Sequence, residues 1–246
     1  MEFTYKAYEE LINILNKNEY KICSYHDYIN HEKCVILRHD VDTSLEKALG
    51  FAKFENILGI QSTYFVLLSS NFYNIASAKN IEIIYKIKEY GHEIGLHFDE
   101  IKYSKLNFPI NNGELKNSIE KEIKIMSDVL GFEINTVSMH RPSKETLAAN
   151  YKLNNAINSY SKTFFEEFKY LSDSRFNWRE PVLDIVENNI YKKLHILTHA
   201  FWYSEIGDTA SEICRKFVNN ANRERYIQMN DNIRDFTEFM KEEEIK

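Results

Sequence analysis

The chain of 246 residues carries 31 Lys and Arg against 37 Asp and Glu, a net charge of −6, with 43% hydrophobic residues. That length fits one α/β domain or two small ones, and the lack of a linker favours a single domain spanning 1–246; the acidic balance argues against a nucleic-acid surface, which is basic. No run approaches the roughly 18 apolar residues of a membrane span. Scarce Pro (3) and Gly (7) argue against long disordered linkers. The opening MEFTYKAYEELINIL carries Glu2, Glu9 and Glu10 and lacks a continuous apolar stretch, so no signal peptide is expected there. Three cysteines (Cys23, Cys34, Cys214) have no metal-type spacing and read as buried small hydrophobes in a reducing compartment, the cytoplasm.

In chain order, residues 4–17 have an amphipathic helical pattern, 20–24 form a short strand and 33–39 a longer one. Thr43-Ser44-Leu45-Glu46 is a capping-box sequence that opens a helix to Leu58, with Gly59 as its C′ residue. Residues 62–68 form the next strand, which makes a strand–helix–strand unit long enough for a parallel crossover. The theme repeats: helix 81–90 and strand 93–97, then helix 114–130 ending at Gly131 and strand 134–139. Residues 144–157 read as helix, 168–171 and 194–198 as strands with helix 181–189 between them, and the chain from Gly207 as mostly helical. Strands interleaved with helices predict an α/β fold, a largely parallel sheet or barrel with a helical C-terminus.

The strand exits are unusual. After VIL come Asp40 and Asp42, after HEIGL comes His97, and after INTVSM come His140, Arg141 and Pro142. Asp173 follows KYLS, and His199 follows LHILT. In a parallel α/β architecture these ends share one rim, where active sites lie. Histidines and carboxylates converging from separate strands have the chemistry of a mononuclear site for Zn²⁺ or a similar divalent ion, with spare groups for acid–base work. Asp40 and Asp42 share a face by period 2, His39 takes the other, and His92 lies five residues from His97, a poor spacing for a co-ligand.

In order, RHDVD, STYFVL, GHEIGLH, SMHRPS, SDSRFNW and LTHAFWY resemble the motifs of the polysaccharide deacetylases, carbohydrate esterase family 4, over about residues 35–203. They look most similar to the bacterial RHDVD-type branch linked to surface-polysaccharide synthesis. The resemblance implies an irregular (β/α) barrel and a metal-dependent amide hydrolase that removes an acyl group, N-acetyl above all, from a small sugar or sugar conjugate. It matches Asp40 with the catalytic base, Asp42 and His97 with metal ligands, and His199 with the catalytic acid. Arg141 falls where the family orients its base. Asp173 and Trp178 fall on the motif that flanks the acid. One position departs: the second metal histidine expected four residues after His97 is Ile101. His140 is the expected replacement, with Asp99 as runner-up. The implied cofactor is one divalent ion, zinc first, with cobalt, nickel, iron or manganese as alternatives.

Other readings compete residue by residue. As alternatives, Asp40 and Asp42 would cap a helix, His97 would be a core histidine and Arg141 would pair with a surface acid. His140 would serve as a substrate-binding or outer-shell residue. Trp202 and Tyr203 suit either a wall against an acyl methyl or sugar ring, or packing under the C-terminal helices. His195 reads as structural, and His26 and His31 have no evident partner. A cyclic-amide or formyl-amide hydrolase, or a non-catalytic glycan-binding member, remains as an alternative function.

Overall fold

The computed structural model describes residues 1–105 and 112–245. Eight parallel strands make one sheet: β1 (Lys21–Cys23), β2 (Cys34–Val41), β3 (Thr63–Leu67), β4 (Glu93–Asp99), β5 (Thr136–His140), β6 (Ile157–Asn158), β7 (Lys169–Ser172) and β8 (Lys193–Thr198). Their order is β6-β5-β4-β3-β2-β8-β7. One edge of β2 pairs with β8, while the other is shared, by β1 near its start and by β3 from Arg38 onward. Every pairing is parallel, so all C-terminal ends lie on one rim.

The helices are α1 (Tyr5–Lys17), α2 (Leu45–Ile57), α3 (Ala78–Glu89), α4 (Ile101–Lys105), α5 (Asn112–Leu130), α6 (Lys144–Ala149), α7 (Val182–Glu187) and α8 (Ala210–Asn232). No helix among the described residues is long and apolar enough to cross a membrane. Helices pack on the outer face of the sheet in two apolar clusters. Val66, Leu96, Phe98, Val137 and Met139 join α3 and α5 residues in one; Val35, Leu37, Leu194 and Ile196 join Leu11, Leu15 and Val182 in the other. Each such side chain buried adds about 1.5–3 kcal/mol of hydrophobic stabilisation.

The inner face explains why the sheet curls into a half-barrel. Gly95 has no side chain, and a Cβ there would stand 2.5 Å from the Phe65 ring, so glycine is required where Phe65 fills the interior. The edge strands β6 and β7 meet across a gap closed by rings: Tyr160 against Phe165 at 5.2 Å and Phe165 against Tyr170 at 4.8 Å. Arg38 spans that interior from β2 to Ser138 of β5 and Ser159 beyond β6.

Two local readings change. The helix expected over 144–157 stops at Ala149, because Asn150 adopts a left-handed conformation (φ 46°) and its side chain accepts from the Lys162 N–H; Ile157 then opens β6. At α2 the N-cap is Ser44 rather than Thr43: its hydroxyl accepts from Lys47 N–H and donates to Glu46.

Candidate active site and metal centre

The rim brings most of the sequence-predicted residues together. His97 Nε2 lies 3.2 Å from Asp42 Oδ1 and 3.6 Å from Asp40 Oδ2. His140 Nε2 is 3.8 Å from the same Asp42 oxygen, and the His97 and His140 rings are 4.9 Å apart. His199 Nε2 approaches the other Asp42 oxygen at 3.9 Å. Each comes from the exit of a different strand: β2, β4, β5 and β8. The alternation of side chains along a strand puts Arg38, Asp40 and Asp42 on the inner face together.

One ligand atom each from Asp42, His97 and His140 falls within 4.8 Å of the others. Asp42 Oδ1 is buried, faces two imidazole nitrogens and makes no hydrogen bond among the described residues. A buried carboxylate oxygen without a donor is expensive, and a cation between it and the two imidazoles would satisfy all three. Two nitrogens and one carboxylate also fit a catalytic divalent site that keeps positions open. The donor set therefore fits the implied metal. Behind it, Asp99 Oδ2 lies 3.7 Å from His140 Nδ1, beyond hydrogen-bond distance, and accepts from Arg141 at 3.1 Å, a position from which a carboxylate would support His140 as a ligand.

Electrostatics separates the titratable groups. Burial pushes the Asp40 and Asp42 carboxyls up, but the groups around them outweigh it. Arg38, then His97 and His199, hold Asp40 below the usual carboxylate range; His97, then His199 and His140, hold Asp42 well below it. Burial also works against a charged His199, yet Asp173 wins and raises its pKa to about 9. Asp173 accepts from His199 twice, from Nδ1 at 2.6 Å and from the backbone N–H at 2.9 Å, so Nδ1 carries a proton and Nε2 faces the site. Burial, then His97, lowers His140 and favours its neutral form, the form able to bind a metal.

Two expectations are corrected. Arg141 does not orient Asp40: it follows β5 in a left-handed conformation (φ 51°), is largely exposed and binds Asp99. The guanidinium on Asp40 is that of Arg38, 2.9 and 2.7 Å from the two carboxylate oxygens and fully buried between the Phe65 and Tyr160 rings. An Arg two residues before an Asp on one strand was the available signal for this pair. Tyr203 does not line a substrate wall. It is fully buried against Phe3, Tyr8 and Phe51, because the chain turns inward after Trp202. Trp202 is half-buried against Phe176 and Phe201, and Trp178 packs at the margin of the same cluster. Asp99, the runner-up ligand, stands behind His140 rather than in the trio. Away from the site, His195 is buried and bonds Tyr25, and His26 finds a partner in Glu93.

No protein-family model matches the chain, and no curated protein matches it. Among solved structures it is similar to BA3943, a CE4 family pseudoenzyme from Bacillus anthracis, at 12% identity and a TM-score of 0.44, over 78% of this chain and 62% of that one. It is similar to the polysaccharide deacetylase Bc1974 from Bacillus cereus at 14% identity and a TM-score of 0.44, over 78% and 88% of the two chains. It is also similar to the peptidoglycan deacetylase PdaC from Bacillus subtilis at 17% identity and a TM-score of 0.43, over 77% and 85%. The chain thus spans under two thirds of the pseudoenzyme's length. At such low identities the assignment of chemistry rests on the side chains.

Proposed function

We propose that the chain is a metal-dependent hydrolase of the polysaccharide deacetylase type, which removes an acyl group, N-acetyl first, from a sugar or sugar conjugate. The observation that carries this is the convergence of Asp42, His97 and His140 on one point, with Asp40 and His199 beside it. A divalent cation, zinc first, held by that trio would supply Lewis acidity toward a carbonyl oxygen and acidify water. Asp40, ionised and fixed by Arg38, takes the proton of the attacking water. His199, charged and oriented by Asp173, donates from Nε2 to the departing nitrogen. The two roles follow from opposite pKa displacements within one cleft, a low carboxyl and a high imidazole.

The test is acetate release from N-acetylated sugars by purified protein. The account expects release that a chelator abolishes and a divalent ion restores. Metal-bound protein that binds sugar but releases no acetate, formate or ring-opened product would establish a binding module instead.

A further inference from the structure

The site occupies the inner face of the half-barrel. The outer face of the same strands carries a second polar cluster that this chemistry does not touch. Glu55 of α2 is fully buried, and its carboxylate accepts from the hydroxyls of Tyr8 at 2.5 Å, Ser62 at 2.6 Å and Tyr64 at 2.8 Å. His39 Nε2 lies 3.0 Å from it. Burial pushes this carboxyl up, yet His39, with His92 and Ser62, brings it down to about 2. His39 therefore presents Nε2–H to Glu55, and its Nδ1 meets Thr198 Oγ1 at 2.5 Å, across the ladder where the two residues are direct partners. His92 is fixed separately: Ser62 N–H donates to its Nδ1, and its Nε2–H donates to the Ala52 carbonyl.

A core has no need of this cluster, since exchanging buried ionic groups for apolar ones is often neutral or stabilising. What the cluster supplies is fixed geometry. Successive side chains on a strand point to opposite faces, so pinning His39 pins Arg38 and Asp40 on either side of it, and pinning Thr198 pins His199, the next residue. We propose that Glu55, His39 and Thr198 form a positioning chain behind the sheet that sets the base-bearing exit of β2 against the acid-bearing exit of β8. The proposal rests on the base and acid roles assigned above, and its test separates the two claims.

Thr198→Val keeps the volume and removes the hydroxyl, while Thr198→Ser keeps the hydroxyl. For acetate release, Thr198→Val loses about tenfold in kcat at unchanged KM, as sub-ångström misplacement predicts, and Thr198→Ser retains the wild-type kcat. Glu55→Gln, which frees His39 from its charged anchor, shows the same split between kcat and KM. Crystal structures of wild type and Thr198→Val show the His199 ring displaced relative to Asp40 over a superposable sheet. If the Val variant loses only thermal stability, with kcat and ring position as in wild type, the proposal is overturned. The ring position decides this even if wild-type protein releases no acetate, an outcome that would remove the hydrolase reading instead.

Discussion

Replacing Arg38 with Met removes the guanidinium that is the strongest of the groups neutralising the Asp40 carboxylate. Arg38 is fully buried, Asp40 is 5% exposed on its side chain, and the contacts are 2.9 and 2.7 Å. At a charge separation near 4 Å and an effective dielectric of about 20, the attraction amounts to about 4 kcal/mol. Breaking a buried pair from one side generally costs about 3–5 kcal/mol, because the remaining charge stays desolvated. Against a total stability of about 5–15 kcal/mol, such a loss is severe. Urea denaturation at pH 7 should therefore show Arg38→Met about 3–5 kcal/mol less stable than wild type, with m unchanged. The double variant Arg38→Met/Asp40→Leu should recover most of that, since it buries neither charge. The pH dependence has a definite sign. In wild type the lowered Asp40 pKa contributes stability above the unfolded value near 3.9, lost as pH falls through the folded one. In Arg38→Met the largest lowering influence is gone and that pKa rises, so the variant's deficit narrows in acid. A cost below about 1 kcal/mol, or a double variant as unstable as the two singles summed, would refute a buried, mutually dependent pair.

Asp42→Ala, His97→Ala and His140→Ala should each take divalent-metal content from near one per chain toward zero, measured by elemental analysis; Arg141→Ala, outside the trio, should leave it near one. His199→Ala should lower kcat by roughly 10²–10⁴-fold. Because His199 is raised to about 9, its proton is present below that pH and lost above it, so the alkaline limb of kcat should lie at or below about 9. Asp173→Asn removes the charge that raises it, so the limb should move to lower pH; a limb unchanged in Asp173→Asn would contradict the pairing. The same shift contributes stability in full below the unfolded value near 6.5, lost as pH rises through about 9. Tyr203→Ala should act through the core, with stability lower by about 3–5 kcal/mol and KM unchanged where the protein is folded, by thermal unfolding and kinetics. A raised KM would return Tyr203 to the substrate wall.

What the sequence revealed was whatever local periodicity and chain order encode. Apolar runs that end in Asp or His mark the strand exits, and a parallel architecture requires those exits to share a rim, so the nearness of Asp42, His97, His140 and His199 is legible in the chain itself. Helix α1 followed from amphipathic spacing, α2 from its capping sequence and Gly59, and α5 from its helical pattern ending at Gly131. What remained hidden depends on distant partners. That β8 returns beside β2, 159 residues earlier in the chain, is a tertiary fact. The helix at 144–157 breaks because Asn150 finds a partner in Lys162 twelve residues on, which helical pattern alone does not register. Arg38 and Arg141 are both arginines beside a candidate catalytic residue. Only the closure of the barrel around Ser138 and Ser159 shows which one meets Asp40. Tyr203 follows Trp202 directly and nevertheless points into the core, because the turn there reverses the chain against Phe3 and Ser204 bonds the Phe3 carbonyl.

Anomalous diffraction from crystals grown with zinc tests the central claim most directly. A single strong peak should lie among Asp42 Oδ1, His97 Nε2 and His140 Nε2, at about 2.0–2.2 Å from each, with Asp99 behind His140 and outside bonding distance. A peak that excludes His140, or no peak at this rim while the protein still releases acetate, would contradict the account.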